Sequence, residues 1–316
     1  MALASAAVLS TTAIFIRHLT QTYHMPALVL AFWRDGFVCL TLLPVLALVR
    51  PHLVRVDGGQ VAYLAGYGLV LATFNAAWTL SVALNGAALS TVLVYSSAGF
   101  TALLGRWLLD ERLGWGKLAA VAVSLGGCAV VAGALDPAAW RVNVFGITTG
   151  ILSGLGYSGY SLMGRSACRR GLNPWTTVLY TFGFAALFLL AANSLPAGFL
   201  PGAASSPGGI LWLGRATTGW AMLFLLAAGP TMAGFGLYNA SLASLPSSVA
   251  NLIVTLEVPF TGLTAYAVLG ERLTAAQLAG SVMVVTGVVF LRLYEGRLAG
   301  RRPREAGPRN DAVPSG

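Results

Sequence analysis

The sequence is a succession of long apolar stretches separated by short polar segments. Each stretch has about 20 residues, the length with which a helix crosses the ~30 Å hydrocarbon layer of a bilayer. Because the apolar positions within each stretch are continuous and do not alternate, the pattern predicts helices and not barrel strands. The ten predicted transmembrane helices cover residues 1–22, 26–49, 61–84, 87–109, 116–134, 143–166, 175–194, 217–240, 247–269 and 275–293.

The composition supports an all-α membrane protein. Of the 316 residues, 57% are apolar and 9% are charged, whereas about a quarter of an ordinary soluble domain is charged. Most predicted helices are joined by short connections, so consecutive helices are expected to be antiparallel neighbours. The longest connection, 195–216, is rich in Pro, Gly and Ser and is predicted to be a surface loop. Residues 294–316 are predicted to form a disordered basic cytoplasmic tail.

The net charge of +9 reflects membrane topology better than nucleic-acid binding. The basic residues lie at helix ends and in the tail, with no aromatic residues interleaved. If both termini are cytoplasmic, fourteen Lys and Arg residues fall on the inner side and five on the outer side. Because positive charge favours the cytoplasmic side, we expect a multi-pass protein of the inner membrane with both termini in the cytoplasm and no nucleic-acid partner.

The sequence contains no pattern that is typical of a metal or cofactor site. Cys39, Cys128 and Cys168 lie in different apolar stretches without paired or metal-ligand spacing, which favours packing thiols. HExxH, Walker and dinucleotide-binding motifs are absent from the sequence. We therefore predict no metal ion, no cofactor and no catalytic residue.

An internal repeat divides the chain into two halves. A shift of 160 residues aligns Ser97–Leu113 (SAGFTALLGRWLLDERL) with Glu257–Leu273 (EVPFTGLTAYAVLGERL), with seven identities that include the ER-L ending. A shift of 148 residues also aligns an arginine and a proline in the earlier helices of each half. Residues 1–134 and 143–293 are thus predicted to be two five-helix repeats. Because five is odd, the second repeat enters the membrane with opposite polarity, and such inverted repeats hold their substrate site near the bilayer midplane.

Three segments carry a resemblance to a known family: LNPW after the sixth predicted helix, NLIVTLEVPFTGLTAYAVLGERL through the ninth, and the related segment in the fourth. Together they resemble the drug/metabolite transporter superfamily, and more narrowly its ten-helix EamA-type members, over residues 5–293. The resemblance implies a five-plus-five inverted repeat, a central cavity, cytoplasmic termini and, commonly, export of amino acids or related metabolites.

Two positions depart from the family pattern. Val258 separates Glu257 from Pro259, whereas glutamate and proline are often adjacent in the ninth helix of the family. The fourth helix carries Ser96, Ser97 and Gly99 where many relatives have a proline. The local geometry of both helices is therefore expected to differ from that of the family.

Glu257 is the first candidate for a substrate-binding residue. It lies ten residues into the ninth predicted helix, ~15 Å along the axis and thus near the midplane. A carboxyl group at that depth costs about 2.5–3.5 kcal/mol and must face protein or water. Pro259 cannot donate to the carbonyl of Thr255, which is expected to leave a free acceptor nearby. The functional hypothesis is that Glu257 binds a substrate ammonium or a coupling proton; the alternative is a neutral glutamate with a structural hydrogen bond.

Arg34 is the second candidate. It lies sixteen residues before Arg50, ~24 Å along the helix and within a few ångströms of the outer hydrocarbon edge. It could snorkel to that edge, or it could face an outer vestibule and bind a substrate carboxylate with its planar fork. The neighbouring Asp35 points about 100° away on the helix, so a facing pair between the two is not expected.

Several uncharged residues are weaker candidates for lining a cavity. Trp78 and Tyr238 correspond under the 160-residue shift, which would place them at matching depths in the two halves. The remaining candidates, which add polar tips to apolar helices, are Asn75, Tyr95, Tyr160 and Asn251. Taken singly, each of these side chains is as well explained by helix packing or a hydrogen bond between helices.

Glycine and proline mark two further helices. Gly229 and Pro230 interrupt the eighth predicted helix, and an interrupted span points either to a substrate site or to a kink required by packing. Gly146, Gly150 and Gly154 form a GxxxGxxxG face on the sixth predicted helix. This face is interpreted first as a packing surface.

Other classes of protein remain as alternatives. Gly156–Gly159 spell GYSG, a nucleophile motif of intramembrane serine proteases, but the three histidines lie near predicted helix ends and offer no base at that depth. A channel would need a continuous polar pore, and a non-transporting scaffold or receptor stays open. The favoured interpretation is a secondary transporter in the bilayer that moves a small amphipathic metabolite by alternating access. A proton is a candidate coupling ion, and a homodimer is an open alternative to a monomer.

Overall fold

The computed structural model describes residues 1–134, 144–196, 199–269 and 274–300, and secondary structure in these ranges is helical. Within these ranges, five helical stretches are long and apolar enough to cross a membrane: Ala2–Thr22, Ala27–Val49, Gly58–Leu84, Pro174–Asn193 and Thr217–Leu242. The α-helices of the described residues are α1 (Ala2–Leu9), α2 (Thr12–Thr22), α3 (Ala27–Val49), α4 (Gly58–Tyr95), α5 (Ser97–Leu108), α6 (Trp115–Val131), α7 (Val144–Arg169), α8 (Pro174–Asn193), α9 (Thr217–Leu226), α10 (Met232–Leu242), α11 (Ser247–Val254), α12 (Glu257–Leu269) and α13 (Ala275–Gly300).

The first predicted helix is broken in the structure. It is divided into α1 and α2 at Ser10 and Thr11. The hydroxyls of both residues donate to carbonyls three residues earlier, at 2.7 Å to Ala7 O and 2.9 Å to Val8 O. Serine and threonine side chains that bond to the backbone in this way compete with the regular helical pattern, which explains the break.

The third predicted helix lies within α4, and the fourth covers the end of α4 and all of α5. Helical backbone is continuous over Gly58–Tyr95, but the Oγ atoms of Ser81 and Ser90 are 2.8 Å apart. In a straight helix, residues nine apart would be ~13.5 Å apart along the axis. The chain must therefore reverse between Ser81 and Ser90, where the sequence predicts a connection.

Two more helices carry irregular segments. A π-helical turn, Ala227–Thr231, joins α9 to α10 and contains the predicted interruption at Gly229 and Pro230. The ninth predicted helix is divided into α11 and α12 at Thr255 and Leu256. A proline ring clashes with the carbonyl four residues earlier, and for Pro259 that carbonyl belongs to Thr255. The expectation that this carbonyl is free was wrong, because the Val258 N–H donates to it at 3.1 Å.

Glycines allow the closest helix contacts. A Cβ at Gly150 would lie 2.5 Å from the Leu93 side chain, and one at Gly154 would lie 2.9 Å from the Leu93 carbonyl, so α7 packs directly against the second part of α4. This contact confirms the packing interpretation of the glycine face. A Cβ at Gly127 on α6 would lie 2.6 Å from the Gly280 carbonyl on α13, so the last helices of the two halves pack backbone to backbone.

The ends of two predicted segments differ from expectation. Helix α13 continues to Gly300, so residues 294–300 are helical and do not belong to the predicted disordered tail; residues 301–316 lie outside the described residues. The 195–216 loop is anchored to the helices, because Asn193 donates to Leu28 O at 3.1 Å and accepts from Ala204 N at 2.9 Å. The Trp33 indole also donates to Ile210 O at 2.7 Å.

Candidate functional site

A small cavity of about 70 Å³ lies between helices of both halves. The first half contributes residues of α1 to α4 and the second half contributes residues of α7, α10 and α12. Because α4 reverses between Ser81 and Ser90, both of its arms reach the cavity. The lining residues are Leu9, Thr12, Arg34, Phe74, Asn75, Trp78, Thr91, Val94, Tyr95, Tyr157, Phe235 and Glu257.

One wall of the cavity carries a buried charge pair. Arg34 is 3% exposed, and its Nε lies 3.4 Å from Oδ1 of Asp35, which is fully buried. The expectation that these two side chains could not pair was wrong. The Asn75 amide donates to both oxygens of Asp35, at 3.0 and 2.7 Å. Asp35 thus holds the guanidinium, and burial at the cavity wall excludes the snorkelling interpretation of Arg34.

Glu257 forms a separate polar group of the same cavity. It is the first residue of α12 and is half-buried. The Tyr95 hydroxyl donates to its Oε2 at 2.6 Å. The N-terminus of a helix favours a carboxylate through the backbone dipoles, whereas desolvation favours the neutral acid. The opposing effects allow either a proton or a cation to be bound at Glu257.

Aromatic rings supply the apolar part of the lining. The rings of Phe74 and Tyr157 stack with centroids 5.1 Å apart. The Arg34 guanidinium lies 5.8 Å from the centroid of the Trp78 ring, within the range of a cation–π contact. The cavity therefore combines a guanidinium, a carboxyl group and aromatic faces in one small volume.

Three predicted candidates lie in two buried hydrogen-bonded groups and not among the lining residues. Asn251 accepts from Ser97 at 3.0 Å and donates to Ser161 at 3.0 Å, and Ser161 is 2.6 Å from the Tyr238 hydroxyl. Tyr160 accepts from the Asn239 amide at 2.6 Å. Of the eight candidates, the structure brings Glu257, Arg34, Trp78, Asn75 and Tyr95 to the cavity and places Tyr238, Tyr160 and Asn251 in these two groups.

A second polar cluster joins the two halves away from the cavity. The carboxylate of Glu111 accepts from the backbone N–H and hydroxyl of Ser247, both at 2.6 Å, and from the N–H and hydroxyl of Ser248. Lys117 is 4% exposed and donates to the Ser248 hydroxyl at 2.9 Å. The repeated ER-L motif thus has a structural role in the first half; its second copy, at Glu271 and Arg272, lies outside the described residues.

The serine of the GYSG segment has no basic partner among the residues that the structure describes around it. Ser158 is fully buried and accepts a hydrogen bond from Thr101 at 2.9 Å. A threonine hydroxyl cannot act as the general base that a serine nucleophile needs. The contact gives Ser158 a structural role between α5 and α7.

Four residues that affect the chemistry were not among the predicted candidates: one, Asp35, lies behind the lining, and three lie in it. Asp35 was set aside on helical geometry, and Thr12, Tyr157 and Phe235 were not singled out. A polar residue next to a predicted intramembrane arginine was a usable signal for Asp35. Thr12 could not be found in advance, because its role depends on the break between α1 and α2.

A bundle of apolar helices with a polar cavity between two halves is the arrangement expected of a membrane-embedded transport protein for small molecules. The sequence profile of the EamA-like transporter family matches residues 1–133 and 144–293. The chain belongs to this family, which confirms the resemblance to drug/metabolite transporters and the two-repeat architecture. The protein is a transporter and not an enzyme.

Individual relatives agree with this assignment. A probable amino-acid metabolite efflux pump of Salmonella typhimurium is 27% identical over 270 residues, which cover 84% of this chain and 85% of the relative. An uncharacterized transporter of Archaeoglobus fulgidus is 27% identical over 291 residues, covering 90% and 93%. A protein of known crystal structure superimposes with a TM-score of 0.70 at 16% identity, over 94% of this chain and 97% of that one, and supports the fold alone.

Proposed function

We propose that this protein exports an amino acid or a closely related amphipathic metabolite across the inner membrane. The observation that carries the proposal is the presence of a guanidinium and a carboxyl group, those of Arg34 and Glu257, in the lining of one cavity with aromatic walls. A zwitterion with an apolar side chain presents the complementary groups: a carboxylate, an ammonium and a surface that packs against rings. The name of the Salmonella relative agrees with this cargo.

Each lining group has a distinct role in this proposal. Arg34 binds the cargo carboxylate through its terminal Nη groups, since its Nε faces Asp35. Glu257 binds the ammonium, with Tyr95 orienting the carboxylate by the 2.6 Å hydrogen bond. Trp78 and the stacked pair of Phe74 and Tyr157 contact the apolar part. Tyr238, Tyr160 and Asn251 fix the positions of the lining helices.

The size of the cavity supports transport by alternating access. A volume of about 70 Å³ is well below the roughly 300–1,000 Å³ of a typical ligand pocket, so helices must separate before a metabolite enters. The Glu111 cluster ties the first half to the second at one end. Opening the cavity toward that end requires these bonds to break, and closing it requires them to form.

The proposal includes an orientation of the protein in the membrane and a proton as the coupling ion. The excess of Lys and Arg on one side supports an orientation in which both termini, and with them Glu111, face the cytoplasm. A proton that binds Glu257 in the absence of cargo would neutralise its carboxylate and permit the empty carrier to return. Proton exchange therefore couples export to the gradient across the membrane.

Transport by the purified protein in proteoliposomes tests this function. A panel of radiolabelled L-amino acids is screened first for thermal stabilisation, because a ligand that binds the folded state raises apparent stability by mass action. Glu257→Gln should abolish counterflow of the stabilising amino acid, whereas Asp57→Asn, on an exposed residue, should not. Arg34→Lys should reduce it at least tenfold because lysine lacks the bidentate fork, whereas exposed Arg106→Lys should not. Normal transport by both cavity variants would refute the proposal.

A further inference from the structure

Thr12, which lines the cavity, has a buried hydroxyl group without a hydrogen-bond partner among the described residues. The residue as a whole is 8% exposed. Buried polar groups are nearly always satisfied, so an unsatisfied one at a cavity requires an explanation.

The local backbone explains why Thr12 has no partner within its own helix. Threonines in this protein commonly donate to the carbonyl one turn earlier, as Thr79 does to Asn75 O at 2.6 Å and Thr261 does to Glu257 O at 2.9 Å. For Thr12 that carbonyl belongs to Val8. It already accepts from the Thr11 hydroxyl at 2.9 Å and from the Thr11 N–H at 3.3 Å.

The position of the residue in the fold supports a role in binding. Thr12 is the first residue of α2, directly after the break that separates α1 from α2. Interrupted transmembrane helices mark binding sites in transporters built from repeats, because irregular backbone at that depth is tolerated where it lines a cavity. Thr12 thus combines an unsatisfied hydroxyl, burial and a place at a broken helix.

We propose that the Thr12 hydroxyl forms a direct hydrogen bond with the cargo and makes the carrier selective for solutes that supply a partner there. This inference rests on the proposed function, since it assigns a further contact to the same cavity. Arg34 and Glu257 recognise the two charges of a zwitterion. Thr12 adds recognition of one more hydrogen-bonding atom and penalises an otherwise similar cargo that lacks it, because the hydroxyl would stay unpaired.

Binding of the standard L-amino acids to the purified full chain tests the inference. The variants are Thr12→Val, which keeps the shape and removes the hydroxyl, and Thr12→Ser, which keeps the hydroxyl. Thr41→Val is the matched control, because the Thr41 hydroxyl on α3 is also buried without a partner among the described residues but is not part of the lining. Neither valine variant breaks a hydrogen bond, so both should unfold at or slightly above the wild-type temperature without ligand.

The expected result is a loss of affinity at Thr12 alone. Thr12→Val should weaken binding of the tightest amino acid about tenfold, which is ~1.4 kcal/mol, while Thr12→Ser and Thr41→Val should stay within about threefold of wild type. Wild-type binding by Thr12→Val, together with lost binding by Glu257→Gln, overturns this inference and leaves the proposed function standing. Absence of binding by the wild type to every amino acid overturns both. If Thr12→Val does not fold, loss of the hydroxyl is tested with Thr12→Ala, and wild-type affinity there has the same meaning.

Discussion

The Glu111 cluster allows a quantitative prediction about the closed end of the carrier. Glu111 accepts four hydrogen bonds from Ser247 and Ser248, and Lys117 donates to the hydroxyl of Ser248. A hydrogen bond to a charged group contributes ~1.5–3 kcal/mol, and breaking a buried charged network by removing one member costs ~3–5 kcal/mol. Glutamine retains one acceptor oxygen and replaces the other with a donor, so about half of this stabilisation should be lost in Glu111→Gln.

This loss should shift the equilibrium between closed and open states. In an open state the same backbone and hydroxyl groups would be hydrated, so Glu111→Gln destabilises mainly the closed state. A loss of about 2 kcal/mol corresponds to a roughly 30-fold shift toward the state open at this end.

Cysteine accessibility measures the shift. In a protein without its three native cysteines, Ser161→Cys places a thiol in the buried network between the cavity and the Glu111 cluster. Its labelling by a membrane-impermeant reagent from the cytoplasmic side should accelerate at least tenfold in Glu111→Gln. Asp110→Asn, which changes an exposed neighbour, should leave the rate unaltered. An unchanged rate in a folded Glu111→Gln protein would refute the view that this cluster closes the cavity.

Three further changes test other parts of the account. Asp35→Asn alone should lower the free energy of unfolding by about 3 kcal/mol, because it leaves Arg34 buried without its anion. The double variant Asp35→Leu with Arg34→Met should restore most of this loss, as measured by SDS unfolding titrations. If the losses of the two substitutions simply add, Arg34 and Asp35 do not stabilise the fold as an ion pair. Gly154→Ala should lower the free energy of unfolding by ~1–3 kcal/mol, because the added Cβ would clash with a backbone carbonyl. Gly66→Ala, where the added Cβ meets no other atom, should raise it by ~0.5–1 kcal/mol in the same titration. Asn193→Ala should release the 195–216 loop, measured as faster proteolysis within it at unchanged core stability; an unaltered cleavage rate would show that the anchor is unimportant.

Much of the fold could be predicted because lipid imposes simple rules. Long apolar stretches must be helical in a bilayer, and the repeated ER-L segment indicates that the chain consists of two repeats, as the family match at residues 1–133 and 144–293 confirms. The breaks within helices were harder to predict from the sequence. Pro259 predicted an irregularity in the ninth helix, yet the position of the break at Thr255 and Leu256 follows from a steric clash four residues earlier and a compensating hydrogen bond.

The site was predicted in part, and the failures have physical reasons. Helical periodicity gives the direction of a Cβ atom, so it indicates which helix face carries Arg34. It does not describe a long side chain that bends back, as Arg34 does toward Asp35 at 3.4 Å. Likewise, the depth of Tyr238 was inferred from the repeat, but whether a polar tip lines a cavity or bonds to a neighbouring helix depends on packing that the sequence pattern does not encode.

In the proposed mechanism, Arg34 and Glu257 recognise the two charges of one zwitterionic cargo. The decisive measurement is the affinity of wild type, Arg34→Lys and Glu257→Gln for three compounds: the tightest-binding L-amino acid, its methyl ester and its deaminated acid. We predict that Arg34→Lys reduces the preference over the ester at least fivefold, and that Glu257→Gln reduces the preference over the deaminated acid by a similar factor, with little effect of each variant on the other ratio. If both ratios keep their wild-type values in both variants, the two residues do not recognise the cargo and the account is wrong.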